Sequence, residues 1–142
     1  MLALDLGSRR IGVAMSDPGG VLASPLATVE RGRSHADDHR RIAQLLTDNA
    51  AVGLVVGLPL SLDGSRGPAA RLVEAEVAEL RAAFEVPVIL HDERLTTVSA
   101  ARSMQARGVN AKRQRSIVDQ EAAAVLLQAW LDGGASRDGS VG

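Results

Sequence analysis

Short apolar runs separated by turn-like residues dominate the first thirty positions. Residues 1–6 and 11–15 are mostly apolar, and the link over 7–10 begins with glycine. This pattern predicts a β-hairpin. A third strand is predicted over 22–29, where Pro25 indicates an edge position or an irregular start.

Helical and strand patterns alternate in the rest of the chain, which indicates a mixed sheet, antiparallel first and parallel later, with helices on its faces. A single domain is expected over 1–132, followed by a flexible Gly/Ser-rich tail over 133–142. The predicted elements are a helix over 35–47 capped by Ser34, a strand over 51–58 ended by Pro59, a helix opened by Gly67-Pro68 with Leu72, Val73, Val77, Leu80 and Phe84 on its apolar face, a strand over 86–90, a helix from Thr96 or Thr97 to Gly108, and a helix over 117–131.

The composition is that of an ordinary soluble domain, with 46% hydrophobic and 23% charged residues. Trp130 and Phe84 are the only aromatic residues, so stacking on unpaired bases has little material. The absence of cysteine excludes disulfides, thiolate zinc sites and thiol nucleophiles. No signal pattern and no bilayer-length apolar run is present, so we expect a cytoplasmic protein without membrane contact.

A local basic segment stands out against a net charge of −1. Between Arg94 and Val118 there is no acidic residue, which makes the segment a candidate surface for phosphate contacts. A solvated helix and loop that happen to be basic is the alternative. The basic residues concerned are Arg94, Arg102, Arg107, Lys112, Arg113 and Arg115.

Two groups of carboxylates stand at the predicted ends of strands. Asp5 lies within the apolar segment LALDLG. Desolvation of its carboxylate costs on the order of several kcal/mol unless the group is paired or binds a cation. Asp92 and Glu93 follow the apolar strand VPVIL, where ligands of α/β sheets gather. Asp5 as a turn residue and Arg94 pairing with either acid remain alternatives, and the pattern alone does not choose between Asp92 and Glu93.

Asp119 interrupts the apolar face of the last predicted helix. It shares that face with Ala122, Ala123, Leu126 and Trp130, so its carboxylate is expected to point towards the sheet. The alternative is an acidic residue in the first turn that complements the helix dipole.

The chemistry of the candidate residues favours hard cations. His35 and His39 stand among charged residues on a helix expected to be exposed, and His91 is expected to be a satisfied structural histidine. Three carboxylates without a Cys or His cluster favour Mg²⁺ or Mn²⁺ over zinc. Two such ions about 3.5–4 Å apart activate a water and neutralise the leaving oxygen in phosphodiester cleavage.

Four motifs in order resemble the YqgF/RuvX family, and together they cover nearly the whole chain up to Leu131. The chain departs from the family's usual pattern at Ser61, where Asn is common, and at Gln114, which interrupts a basic run. The motifs are residues 4–14 (LDLGSRRIGVA), residues 56–59 (VGLP) with Asp63-Gly64, residues 92–97 (DERLTT), and Asp119 followed by Ala122-Ala123 and residues 126–128 (LLQ).

The resemblance implies a ribonuclease-H-like fold, similar to the RuvC Holliday-junction resolvases, and a nuclease that matures the 5′ end of pre-16S ribosomal RNA. It assigns the catalytic and metal-binding roles to Asp5, Glu93 and Asp119, with Mg²⁺ or Mn²⁺ in a two-metal site. Ribosome association is a further expectation. The expected nucleic-acid contacts are Arg9, Arg10, Arg94, Arg107, Lys112, Arg113 and Arg115.

Three other functions are compatible with parts of the pattern. A Holliday-junction resolvase acting on branched DNA would use the same carboxylates, in two active sites related by a dimer axis. Whether the chain is a monomer or a homodimer therefore stays open. A non-catalytic RNA-binding module would keep the fold alone. A sugar-kinase-like phosphate loop also begins with LDLGS, but it needs a second domain for which this chain is too short.

Overall fold

A mixed five-stranded sheet is the centre of the computed structural model, which describes residues 1–95 and 111–135. The sheet order is β3-β2-β1-β4-β5, with antiparallel pairing among the first three strands and parallel pairing of β4 with β1 and β5. The elements are β1 (Leu2–Leu6), β2 (Arg10–Ser16), β3 (Ala23–Glu30), α1 (His35–Asp48), β4 (Leu54–Leu58), α2 (Pro68–Ala83), β5 (Val88–Asp92), a 3₁₀ turn (Glu93–Leu95), α3 (Ala111–Trp130) and a π-helical turn (Leu131–Ala135).

Helices cover both faces of the sheet, as predicted. Successive strand residues point to opposite faces. Leu2 and Leu4 of β1 pack with residues of α1 and α2, whereas Ala3 between them packs with Ala122 and Leu126 of α3. The side chain of Asp5 therefore belongs to the α3 face.

The predicted hairpin and the irregular third strand are both confirmed. β1 and β2 pair antiparallel, and β3 lies at the edge of the sheet. The register between β2 and β3 shifts because Val13 pairs with Ala27 while Ala14 pairs with Pro25, which leaves Leu26 as an extra residue.

The predicted starts of the first two helices are confirmed. The Ser34 hydroxyl accepts a hydrogen bond from the Asp37 N–H at 3.2 Å. Gly67 is the N-cap of α2 and Pro68 its first residue. One residue of the predicted apolar face is wrong: Leu72 is 73% exposed, because it lies about 100° around the helix from the buried Val73.

Several predicted boundaries differ from the structure. The strands predicted over 51–58 and 86–90 begin later, as β4 and β5, and α3 begins at Ala111 rather than at residue 117. Residues 133–135 of the predicted tail belong to the π-helical turn. The helix predicted from Thr96 or Thr97 to Gly108 and the tail from 136 onward lie outside the described residues. None of the helices described is long and apolar enough to cross a bilayer.

A buried polar network joins α1, α2 and the end of β3, and it corrects the expectation that the first turns of α1 are solvated. Asp38 and His39 are buried, as is Glu76 of α2. The Arg31 guanidinium donates to both oxygens of Glu76, at 2.7 and 2.9 Å, and to Asp38 at 3.2 Å. Its Nε also donates to the Gly7 carbonyl, which ties the network to the β1–β2 turn.

Candidate active site

A row of three residues crosses the middle of the sheet on the face that α3 covers. Asp5 of β1 pairs directly with Gly12 of β2. On its other side, the parallel register pairs Leu4 with Val56, so Gly57 of β4 is the neighbour of Asp5. Asp5 is only 6% exposed and stands between two positions that carry no side chain.

Gly12 lets α3 approach the sheet at Asp119. A Cβ atom placed on Gly12 would lie 1.9 Å from the backbone oxygen of Asp119, so any other residue would push the helix away. Ala122 and Ala123, one turn later, are fully buried against the sheet. The close approach brings Asp119 next to the strand that pairs with Asp5.

Asp119 lies well inside α3, eight residues after Ala111, and not in the first turn. The alternative in which its charge complements the helix dipole is therefore wrong, because that effect fades beyond the first turn. The carboxylate instead accepts a hydrogen bond from Arg10 Nε at 2.8 Å, in a partly buried ion pair across 109 residues of sequence.

Gly57 gives the corresponding space to Glu93. A Cβ atom on Gly57 would lie 2.9 Å from Glu93 Cγ and 3.0 Å from Glu93 Oε1. The Glu93 side chain, in the 3₁₀ turn after β5, therefore folds back over β4 beside Asp5. Burial raises the pKa of Glu93, and the negative charge of Asp92 adds to the rise.

The two neighbouring acids at the end of β5 have different surroundings. Asp92 accepts hydrogen bonds from Arg94 Nε and Nη2, at 2.7–3.1 Å, and from the Arg94 backbone N–H at 2.9 Å. The hydrogen bonds from the Arg94 side chain are the main cause that holds the pKa of Asp92 below its usual value. Arg94 thus pairs with Asp92, whereas Glu93 lies over Gly57.

His91 differs from the expectation of a satisfied structural histidine. Its Nε2 atom is buried and has no hydrogen-bond partner among the described residues. Burial lowers the pKa of the ring and disfavours its charged form, while the negative charge of Asp92 acts in the opposite direction. The sheet register places it opposite Gly57, at the level of the carboxylate row.

The expected nucleic-acid contacts have different positions. Arg9 is exposed in the turn after β1. Arg10 and Arg94 are engaged by Asp119 and Asp92, and Arg107 lies outside the described residues. Lys112, Arg113 and Arg115 lie in the first two turns of α3 by backbone, and their side chains are outside the described part of the structure.

Pattern reasoning overlooked Gly12 and Gly57 as parts of the site. Each stands inside an otherwise apolar strand, RIGVAMS and LVVGL, where glycine weakens the strand and commonly marks a close approach by another group. That signal was available in the sequence. The partners that approach, Asp119 and Glu93, are far from these glycines along the chain and could be paired with them only in three dimensions.

The arrangement gathers oxygen donors at one sheet position. Asp5 lies in the row, the Glu93 side chain lies over Gly57, and Asp119 of α3 lies over Gly12. Carboxylate oxygens around a buried position are the donor set that hard divalent cations prefer, and two glycines leave the room that bulkier residues would fill.

Sequence comparison places the chain among nucleases. The profile of the family described as "RuvX: Holliday junction resolvase" matches residues 1–133. A relative from Mycobacterium sp. strain KMS is 52% identical over 132 residues, which is 92% of this chain and 78% of the relative. A relative from Rhodococcus erythropolis is 49% identical over 135 residues, with 92% and 76% covered. Both carry the name pre-16S rRNA nuclease.

Structural comparison shows the fold. Thermus thermophilus RuvC bound to a Holliday-junction substrate superposes with a TM-score of 0.52 and 15% identity, over 99% of this chain and 97% of that chain. A second structure of RuvC from the same organism gives a TM-score of 0.52 and 17% identity, with 94% and 97% covered. The fold is thus the ribonuclease-H-like α/β fold of these resolvases.

Proposed function

This chain belongs to the RuvX family and is a phosphodiester-cleaving nuclease, and we propose that it matures the 5′ end of precursor 16S ribosomal RNA. Asp5, Glu93 and Asp119 are the proposed catalytic carboxylates. The observation that carries the assignment of these three residues is the row Gly12–Asp5–Gly57, because both glycines are required by the approach of the other two carboxylate-bearing residues.

Asp5, Glu93 and Asp119 would hold the divalent cations, Mg²⁺ or Mn²⁺, of a two-metal site. When bound, such ions supply an activated water and neutralise charge on the leaving oxygen. The burial that raises the pKa of Glu93 disfavours its charged form, so a cation is the kind of partner that favours the ionised carboxylate there. Arg10 holds the carboxylate of Asp119 in a fixed orientation towards β2.

RNA is preferred over branched DNA as the substrate because of the relatives. The proteins that share about half of the sequence over 92% of this chain are named for pre-16S rRNA. The structure that contains a Holliday junction shares 15% of the sequence, so its likeness speaks for the fold alone. The family description as a Holliday junction resolvase keeps branched DNA as the second candidate.

Cleavage assays with purified protein separate the two substrates. We expect endonucleolytic cleavage near the 5′ end of a precursor 16S transcript, in assembled pre-ribosomal particles or as free RNA, that requires Mg²⁺ or Mn²⁺ and stops with a chelator. A four-way DNA junction of matched length is the comparison. Symmetric nicking of the junction, without cleavage of the transcript, would overturn the RNA assignment and show a resolvase.

Among the residues expected to contact phosphates, Arg9 is exposed in the turn that follows β1. Replacing it with Ala should weaken substrate binding modestly and reduce the slope of log affinity against log salt by about one. Arg71→Ala, an exposed arginine on α2 on the opposite face of the sheet, is the matched control. An unchanged salt slope for Arg9→Ala would show that the turn does not contact the nucleic acid.

A further inference from the structure

A second group of potential metal ligands lies on the side of the sheet away from the carboxylate row. One ligand atom each from His35, His39 and Glu79 lies within 4.8 Å of the others. The two histidines are four residues apart on α1, and Glu79 is on α2. Residues four apart on a helix share a face, so both rings can reach one point between the helices.

The contacts around His35 show how close these groups already are. His35 Nδ1 lies 3.0 Å from Glu79 Oε1, and the rings of His35 and His39 have their centroids 5.7 Å apart. Zinc bonds to nitrogen and oxygen of about 2.0–2.2 Å bring tetrahedral donors to about 3.5 Å from one another. The side chains of His35 and Glu79 are about half exposed, at 51% and 49%, and therefore have the freedom to make that adjustment.

Glu76 of α2, which is buried, contacts His39 from the interior side of this group. Its Oε2 lies 2.8 Å from His39 Nε2, and both of its oxygens are held by Arg31. A carboxylate bonded to one nitrogen of a histidine fixes the tautomer and the orientation of the ring, as commonly found around metal-bound histidines. Burial acts to raise the pKa of Glu76, but the hydrogen bonds from Arg31 and His39 outweigh it, and the pKa is lowered.

We propose that His35, His39 and Glu79 form a binding site for a zinc-class transition metal ion that clasps α1 to α2. Imidazole nitrogen is a ligand that suits zinc, copper and nickel, whereas Mg²⁺ and Mn²⁺ prefer sites made of oxygen. The site is separate from the active site because α1 and α2 pack on the opposite face of the sheet from Asp5. It adds a structural ion to a nuclease whose catalytic cations differ in chemistry.

Calorimetric titration of the metal-stripped, full-length protein with Zn²⁺ tests the site, and the Glu93→Gln background weakens competing binding at the carboxylate row. We expect one ion bound per chain. His35→Ala and Glu79→Gln should each weaken that binding at least about tenfold. Glu74→Gln, the same substitution five residues earlier on α2, should leave it unchanged. Co²⁺ in place of Zn²⁺ should give the visible absorption of a four-coordinate ion, lost in His35→Ala.

Thermal unfolding supplies a readout that does not depend on nuclease activity. Zn²⁺ that binds the folded chain should raise the melting temperature of the parent protein and leave that of His35→Ala unchanged. His35 is exposed, so this variant is expected to fold, which circular dichroism checks. Absence of saturable Zn²⁺ binding, or equal affinity in the parent protein and in both His35→Ala and Glu79→Gln, overturns the proposal.

Discussion

Replacing Glu93 with Gln is expected to lower the rate of cleavage by at least about a hundredfold while the fold remains intact. The amide is nearly the same size as the carboxylate, so the fit over Gly57 is kept, but the charge that would hold a divalent cation is lost. Loss of a supporting group alone costs about 10- to 100-fold in metal affinity or activity. Single-turnover cleavage at saturating Mg²⁺ or Mn²⁺, with unfolding curves for each protein, measures the effect.

Glu85→Gln is the matched control, because it makes the same change at an exposed position just before the other end of β5. It should cleave at the rate of the parent protein. Asp5→Asn and Asp119→Asn are expected to lower the rate of cleavage as Glu93→Gln does. Normal cleavage by all three variants would return these carboxylates to a structural role and remove the basis of the proposed mechanism.

Gly12→Ala is the second substitution with a large expected effect, although it removes no functional group. The added methyl would lie 1.9 Å from the Asp119 backbone oxygen, so α3 must move away from β2. Overpacking of this kind costs about 1–3 kcal/mol of stability. A displacement of about 1 Å in an active site can cost about a hundredfold in rate. Activity is therefore expected to fall by about that factor even where the protein is fully folded.

Gly19→Ala separates this effect from a general loss of glycine. Gly19 lies in the β2–β3 turn, and its added Cβ would meet only ordinary contacts at 3.5 and 3.9 Å. This variant should keep the activity and the melting temperature of the parent. A Gly12→Ala protein with full activity would show that α3 does not need its close approach to place Asp119.

The sequence predicted the sheet and the position of two carboxylates because those features are local. Asp5 interrupts a short apolar strand, and its low exposure follows from the strand being buried. Asp119 interrupts the stripe that contains Ala122 and Leu126, both of which are buried against the sheet. In each case the period of the apolar residues determines which way the polar side chain points.

The choice of Glu93 over Asp92 came from the family resemblance, and pattern alone could not have made it. The difference between the two acids depends on contacts with Arg94 and Gly57. The Gly57 contact joins residues 36 positions apart, one in β4 and the other in the 3₁₀ turn after β5. Neither segment alone shows that β4 and β5 lie side by side in the register that brings them together.

The early start of α3 was also beyond the apolar pattern. Residues 111–116 read AKRQRS and contain no periodic apolar stripe, so the pattern predicts a helix only from Ile117 onward. Most of these residues are nevertheless good helix formers, and a helix that is anchored by packing further along can extend through them.

The sequence pattern does not reveal the buried network, because polar and charged residues on a helix indicate a solvated face. Asp38 and His39 look like an exposed helical face among Asp37 and Arg40, yet they meet Arg31 and Glu76 in the interior. This burial depends on partners that are distant in sequence, since His39 and Glu76 are 37 residues apart. A buried charge requires its counter-ion, and the sequence does not show which distant residue supplies it.

The extra residue in β3 has a consequence for how copies of the chain can assemble. An outermost strand offers unsatisfied backbone groups to which another chain can add. Pro25 removes one donor from that border, and the irregular step at Leu26 bends it. Growth of the sheet from one molecule into the next is therefore disfavoured along β3, and any pairing of two copies there must use side-chain surfaces instead.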